Sequence, residues 1–238
     1  AVRQVTEKLY HFAQQGGAKV VWLPDAAQLS ESAANALLKT LEEPPANSWF
    51  FLGSRESSRL LATLRSRCMA LSLAPPDEAQ SLQWLSKQLP HEPVALQTAL
   101  RLSAGAPAAA LQLLEPARWQ ARQNLCDALP AALRQDILLL LPLLNAEDVA
   151  ARISWLMALL VDAIKWQQGA VRWLSNPDRQ DVVALLAETF SARALDESAR
   201  AWMQCREQLI HVAAVNRELL LTDRLLSWAD QRKPGVVA

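Results

Sequence analysis

The stretch Ala74-Pro75-Pro76-Asp77 separates two textures, and this break most narrowly limits the fold. Ahead of it, continuous apolar runs alternate with segments of helical period. Behind it, apolar residues recur three and four apart as far as the loose Lys233-Pro234-Gly235 end, the spacing of amphipathic helices. The chain is therefore an α/β segment followed by an all-helical one. Six glycines in 238 residues fall well below the roughly 7% of average usage. Leu and Ala dominate, so the molecule is predominantly helical.

The order of elements before the break is legible. Val2, Val5, Leu9 and Phe12 predict a helix over 2–14, ended by Gly16-Gly17. The run KVVWLPDA (19–26) reads as a strand closed by Pro24-Asp25, with the continuous apolar character of strands buried on both faces of a parallel sheet. Ala34, Leu37, Leu38 and Leu41 predict a helix over 31–43, with Ser30 as its N-cap and Pro44-Pro45 as its stop. SWFFLGS (48–54) reads as a second buried strand, 56–64 as a short helix and 69–73 as a third strand. Strand and helix in alternation imply a parallel sheet with crossover helices.

After the break, Asp77 caps a helix carrying Ala79, Leu82, Leu85 and Leu89, and two short helices follow over 96–103 and 107–114. This three-helix unit is too small to be very stable alone, so it is expected to lean on a neighbour or a ligand. Longer helices are predicted over 118–129, 133–144, 147–168, 178–189 and 194–230, the last with a break near Asn216.

Lys+Arg and Asp+Glu stand at 24 each; that balance argues against a free-standing nucleic-acid binder, which would carry a basic surplus. Cys68, Cys126 and Cys205 are far apart, and without a CxxC or HxxxH spacing no zinc site is argued. Three dispersed thiols suit a reducing compartment. The longest apolar run, 137–144, contains Pro142 and is too short to span a bilayer. No leader peptide is expected. His11, His91 and His211 form no ligand spacing.

Two short stretches carry chemistry. In NALLKTLEEPP (35–45), Glu42 and Glu43 lie in the last turn of a predicted helix, where the macrodipole disfavours anions. Taken alone this is a solvated helix end, yet two carboxylates there suggest cationic partners elsewhere. In the second stretch, Ser66-Arg67-Cys68 precedes an apolar run. An arginine beside a buried strand is costly unless something anionic meets it.

Together, NALLKTLEEPP and the SRC triplet resemble the AAA+ clamp-loader subunits of bacterial DNA replication, and the resemblance spans the whole chain. It implies the C-terminal part of an AAA+ core over 1–75, with its parallel sheet incomplete, a three-helix lid over 76–116 and a helical collar for oligomerisation over 117–238. It also implies that the family's P-loop, absent from this sequence, lies upstream of Ala1, the chain being N-terminally truncated. The strand at 19–25 takes the Walker B position and Ser54 the sensor-1 position. Where motor subunits end Walker B in Asp-Glu, this chain has Asp25-Ala26. Where they carry the sensor-2 arginine, it has Gly105-Ala106-Pro107-Ala108, with Ala108 at the arginine position.

These departures imply a non-catalytic stator with no nucleotide bound by Asp25, Ala26, Ser54 or Ala108, and no metal. Arg67 of the SRC motif (Ser66, Arg67, Cys68) is implied to be an arginine finger reaching in trans to ATP and Mg held by a neighbouring subunit. The implied partners are the loader's gamma/tau ATPase subunits and delta subunit through the collar, then the sliding clamp and primer–template DNA in the assembled polymerase III holoenzyme, in the cytoplasm with no membrane contact. The alternative is an ATP-hydrolysing motor subunit seen without its P-loop. Arg65 is expected in a surface or internal ion pair, and Cys68, Cys126 and Cys205 as small buried apolar residues. Trp155, Trp166, Trp173, Trp202 and Trp228 are expected as core or interface anchors, and Arg55 and Arg59 at an interface or DNA.

Overall fold

Aromatic and β-branched side chains favour extended backbone, and two such runs pair. In the computed structural model, which describes Leu9 and residues 17–54, 56–74, 76–212 and 214–233, strands β1 (Lys19–Leu23) and β2 (Ser48–Leu52) run parallel, in register from Lys19 opposite Ser48 to Leu23 opposite Leu52. The helix expected over 2–14 lies outside the described residues except for Leu9, whose carbonyl accepts from Lys19 Nζ at 2.5 Å. Two compact units emerge, 1–74 and 75–238.

In the first unit, helix α1 (Glu31–Glu42) connects the strands. Ser30 Oγ accepts the Ala33 N–H at 3.2 Å and caps it, which satisfies one orphan donor of the first turn. Asn47 then takes a left-handed φ of 55° ahead of β2, a conformation asparagine tolerates. The helix expected over 56–64 is divided into a 3₁₀ turn at Ser57–Arg59 and a short helix α2 (Ala62–Arg65), with Leu60 extended between them.

The sheet departs from expectation in two ways. Ala34 and Leu37 of α1 and Leu64 of α2 form a small core with Leu23 packed against it, so among the described residues helices cover one face only. Val20, Trp22, Trp49 and Phe51 on the other face are each more than half exposed. Continuous apolar sequence therefore marks strands whose second face lies open here rather than buried on both sides. The third strand is absent: residues 69–73 take no ladder, and Met69, Leu71 and Leu73 are 96%, 81% and 86% exposed. Alternation alone forms no strand; backbone donors and acceptors need a neighbouring ladder.

The second unit is helical throughout its described residues. Helices α3 (Glu78–Gln88), α4 (Pro93–Leu102) and α5 (Pro107–Leu113) come first. Asp77 caps α3, Oδ1 accepting from the Gln80 N–H at 2.7 Å. Then follow α6 (Pro116–Arg134), α7 (Leu141–Leu144), α8 (Val149–Gln167), α9 (Gln180–Thr189), α10 (Ala192–His211) and α11 (Arg217–Ala229). The expected break near Asn216 is present, and Asn216 Oδ1 caps α11 through the Leu219 N–H at 3.1 Å. The expected gap after 129 is not: α6 runs through Pro130. Leu125, Cys126, Leu129, Ala132 and Leu133 form one buried stripe across it. Burying these side chains outweighs an interior proline's cost of about 3 kcal/mol.

Leu85 of α3, Leu96, Ala99 and Leu100 of α4 and Ala110 and Leu113 of α5 belong to one cluster with core residues of α6 to α11, so the three short helices do lean on a neighbour. A polar seam reinforces the join. Arg122, fully buried, donates to both carboxylate oxygens of Asp178 at 2.7 and 2.8 Å and to Asn176 Oδ1 at 2.8 Å. From α4, Thr98 Oγ1 donates to Asp178 at 3.0 Å, and Arg101 to the Leu174 carbonyl at 2.7 Å. Asp162 beneath them accepts from the backbone of Ser175 and Asn176 at 2.9 and 2.7 Å.

Candidate functional site

Side chains at the carboxyl ends of parallel strands meet in a crevice where ligands bind in open α/β sheets. Asp25, Ala26 and Ser54 stand at those ends, joined where the Ala26 N–H donates to the Gly53 carbonyl at 2.8 Å. The approach is close enough to demand glycine: a Cβ on Gly53 would lie 2.4 Å from the Pro24 carbonyl oxygen. The polar groups here are occupied locally. Asp25 accepts from the Ala27 N–H at 3.2 Å and from Gln28 Nε2 at 2.9 Å. Ser54 Oγ donates to the Glu56 carbonyl at 2.7 Å. Ala26 between them is a methyl group only 3% exposed.

Ala108 lies in the other unit, exposed in the first turn of α5. The turn before it is shaped by Gly105 at a φ of 80°, whose N–H donates to the Leu100 carbonyl at 2.9 Å, a helix-ending bond that favours glycine.

Arg67 follows α2, and its partner is Glu42. Arg67 Nε donates to Glu42 Oε1 at 2.6 Å, with Nη2 in contact with the same oxygen. Nη1 donates to the Thr63 carbonyl at 2.9 Å and reaches Ser66 Oγ at 3.4 Å. The two motifs singled out in the sequence thus meet: the last turn of α1 holds the arginine of the SRC triplet. The Arg67 side chain keeps 32% of its surface accessible. Two carboxylates before Pro-Pro pointed to a cationic partner, but the sequence alone could not say which cation, because the two residues stand 25 positions apart.

The remaining candidates resolve differently. Among the described residues Arg65 has no ion pair; its Nη1 lies 3.5 Å from the Ser57 carbonyl, at the limit of a hydrogen bond. Arg59 pairs with Glu56 at 3.0 Å, both exposed, and Arg55 lies outside the described residues. Cys126 and Cys205 are buried, Cys68 half-buried. Burial pushes all three thiols up, Cys205 to about 11. Trp155, Trp202 and Trp228 are core residues, and Trp166 packs against that core. Trp228 stacks on Phe190 at 5.5 Å between ring centres and meets Trp202 edge-on at 6.2 Å. Trp173 is 64% exposed beneath the Arg172 guanidinium.

Three family descriptions tile the chain. Residues 1–77 match "DNA polymerase III, delta subunit", 76–115 match "DNA polymerase III subunit delta', AAA+ ATPase lid domain", and 116–230 match "DNA polymerase III, delta subunit, C terminal". The DNA polymerase III subunit delta' of Yersinia pestis is 54% identical over 240 residues, covering 98% of this chain and 71% of that protein. The subunit delta' of Escherichia coli K12 is 52% identical over 238 residues, covering 100% and 71%. The more distant DNA polymerase III subunit tau of Salmonella typhimurium is 29% identical over 253 residues, covering 98% and 38%. Full coverage at more than half identity, with delta' relatives and a delta' lid, leaves one assignment: the chain belongs to the delta' subunit family of the DNA polymerase III clamp loader.

Proposed function

We propose that this chain is a non-hydrolysing stator of the loader that completes a neighbouring subunit's ATP site with Arg67. The observation that carries the reading is a contrast within the first unit. Ala26, which the resemblance aligns with the water-positioning carboxylate of hydrolysing subunits, is a buried methyl, while Arg67 is held part-exposed at the surface. A permanently charged planar fork suits phosphate oxygens. The charge that develops as a phosphoryl group transfers makes such a group worth about 10³–10⁵ in rate. ATP and Mg belong to the neighbour, and this chain contributes no ligand to them except the finger.

The collar would hold the assembly together. Met203 and Ile210 of α10 and Leu219 and Leu226 of α11 are each about half exposed or more, and apolar side chains left on helix surfaces suit contact with gamma/tau and delta subunits. The cycle served is loading of the sliding clamp onto primer–template DNA.

The test is DNA-stimulated ATP hydrolysis by a reconstituted loader containing the complete subunit, in which only the site adjoining it is competent. Arg67→Ala should slow that site by about a hundredfold or more while gel filtration shows an intact assembly. An unchanged rate in an intact assembly would leave the chain as scaffold alone.

A further inference from the structure

Arg67 could reach outward as a flexible side chain or be presented already oriented. The hydrogen bonds distinguish the two. Its Nε–Nη2 edge lies on Glu42 Oε1 and its Nη1 on the Thr63 carbonyl, so contacts from α1 and α2 fix the plane of the guanidinium. The remaining hydrogens on Nη1 and Nη2 are those an incoming phosphate can take; one competes only with Ser66 Oγ at 3.4 Å. We propose that Glu42 is a positioning residue for Arg67, holding one edge of the guanidinium so that the other meets the neighbour's phosphate without a search of rotamers. The proposal rests on the reading of Arg67 as a finger in trans.

Stability does not account for the pair. Both side chains are substantially exposed, at 32% and 49%, and ion pairs so exposed contribute little. Glu42 also sits in the last turn of α1, where the helix dipole repels a carboxylate. What the contact supplies is order. A long arginine side chain frozen before encounter loses less conformational entropy on docking, and the rate of a reaction in a preset site is sensitive to misplacement of a single group. Glu42 acts through its acceptor oxygen rather than its charge, because a full negative charge on the guanidinium also dampens the finger's pull on phosphate. Glutamine keeps that oxygen and alanine removes it.

The experiment is a double-mutant cycle in the reconstituted loader containing the complete subunit, again with only the adjoining site competent. Glu42→Ala should slow hydrolysis there by about tenfold, and Glu42→Gln should restore most of the rate. In an Arg67→Ala background, Glu42→Ala should change nothing further, as expected of groups acting as one unit. If Arg67→Ala slows the site and Glu42→Ala does not, the positioning role is wrong and the finger stands. If Arg67→Ala itself has no effect, the finger reading fails and takes this inference with it. An equal loss from Glu42→Ala with or without Arg67, or loss of assembly in both Glu42 variants, would make Glu42 a scaffold residue and overturn the proposal.

Discussion

Arg122 carries a full charge with none of its surface exposed, and what it meets makes that tolerable. Both oxygens of Asp178 and Oδ1 of Asn176 take its terminal nitrogens, and the Trp119 ring lies 4.7 Å from its guanidinium carbon. Removing one partner of such a pair strands the other in low dielectric. Asp178→Ala should therefore cost about 3–5 kcal/mol, read as a lowered midpoint in urea unfolding; a loss below about 1 kcal/mol would mean that water or Asn176 suffices. The thiols carry a second prediction at this scale. Cys205 is 1% exposed and its thiol is pushed up to about 11 from an ordinary 9.0. Its folded form holds the proton more tightly than its unfolded form, so its contribution to stability is complete below pH 9 and is lost as pH rises toward 11. Cys205→Ser should flatten the fall in stability across that window, and an unchanged slope would assign the fall to other groups. At this scale the sequence was uneven. Asp25, Ser54 and Arg67 stand out by their motifs, whereas Arg122 does not, because Asp178 stands 56 residues away and nothing local distinguishes Arg122 from a surface arginine.

Elements whose signal is local were readable, and elements that depend on a distant partner were not. Ser30, Asp77 and Asn216 each cap a helix, because cap chemistry is settled within a few residues. The strand at 69–73 failed because a ladder must come from elsewhere in the chain, and the divided helix at 57–65 failed because its apolar stripe is short. The open face of the sheet follows from the same dependence: helices α1 and α2 cover only one side. Val20, Trp22, Trp49 and Phe51 form a contiguous apolar surface across paired registers, the kind that associates in water. Produced as these 238 residues, the chain should sediment with a concentration-dependent mass. Trp22→Ser with Phe51→Ser should remove most of that dependence. Persistence of association in the double variant would assign it to the half-exposed residues of α10 and α11.

At the scale of the molecule, the second unit draws one buried core from helices that the sequence divides between a lid and a collar. Leu85, Leu100 and Leu114 lie in the same cluster as Leu156, Leu221 and Trp228, and the Arg122 seam ties α4 to the 171–179 loop. A lid in which α3, α4 and α5 rested on a hinge would open by itself; one sharing its core opens with the collar. Leu100 offers the sharpest test, being 1% exposed on α4. Leu100→Ala should cost about 2–5 kcal/mol. If the core is shared, that loss reaches the far end of the chain: amide exchange in α11 should accelerate together with exchange in α4, and thermal unfolding of the second unit should remain a single step at a lower temperature. Faster exchange confined to 78–114, with α11 as protected as before, would show that the lid unfolds alone and that its join to the collar is a hinge.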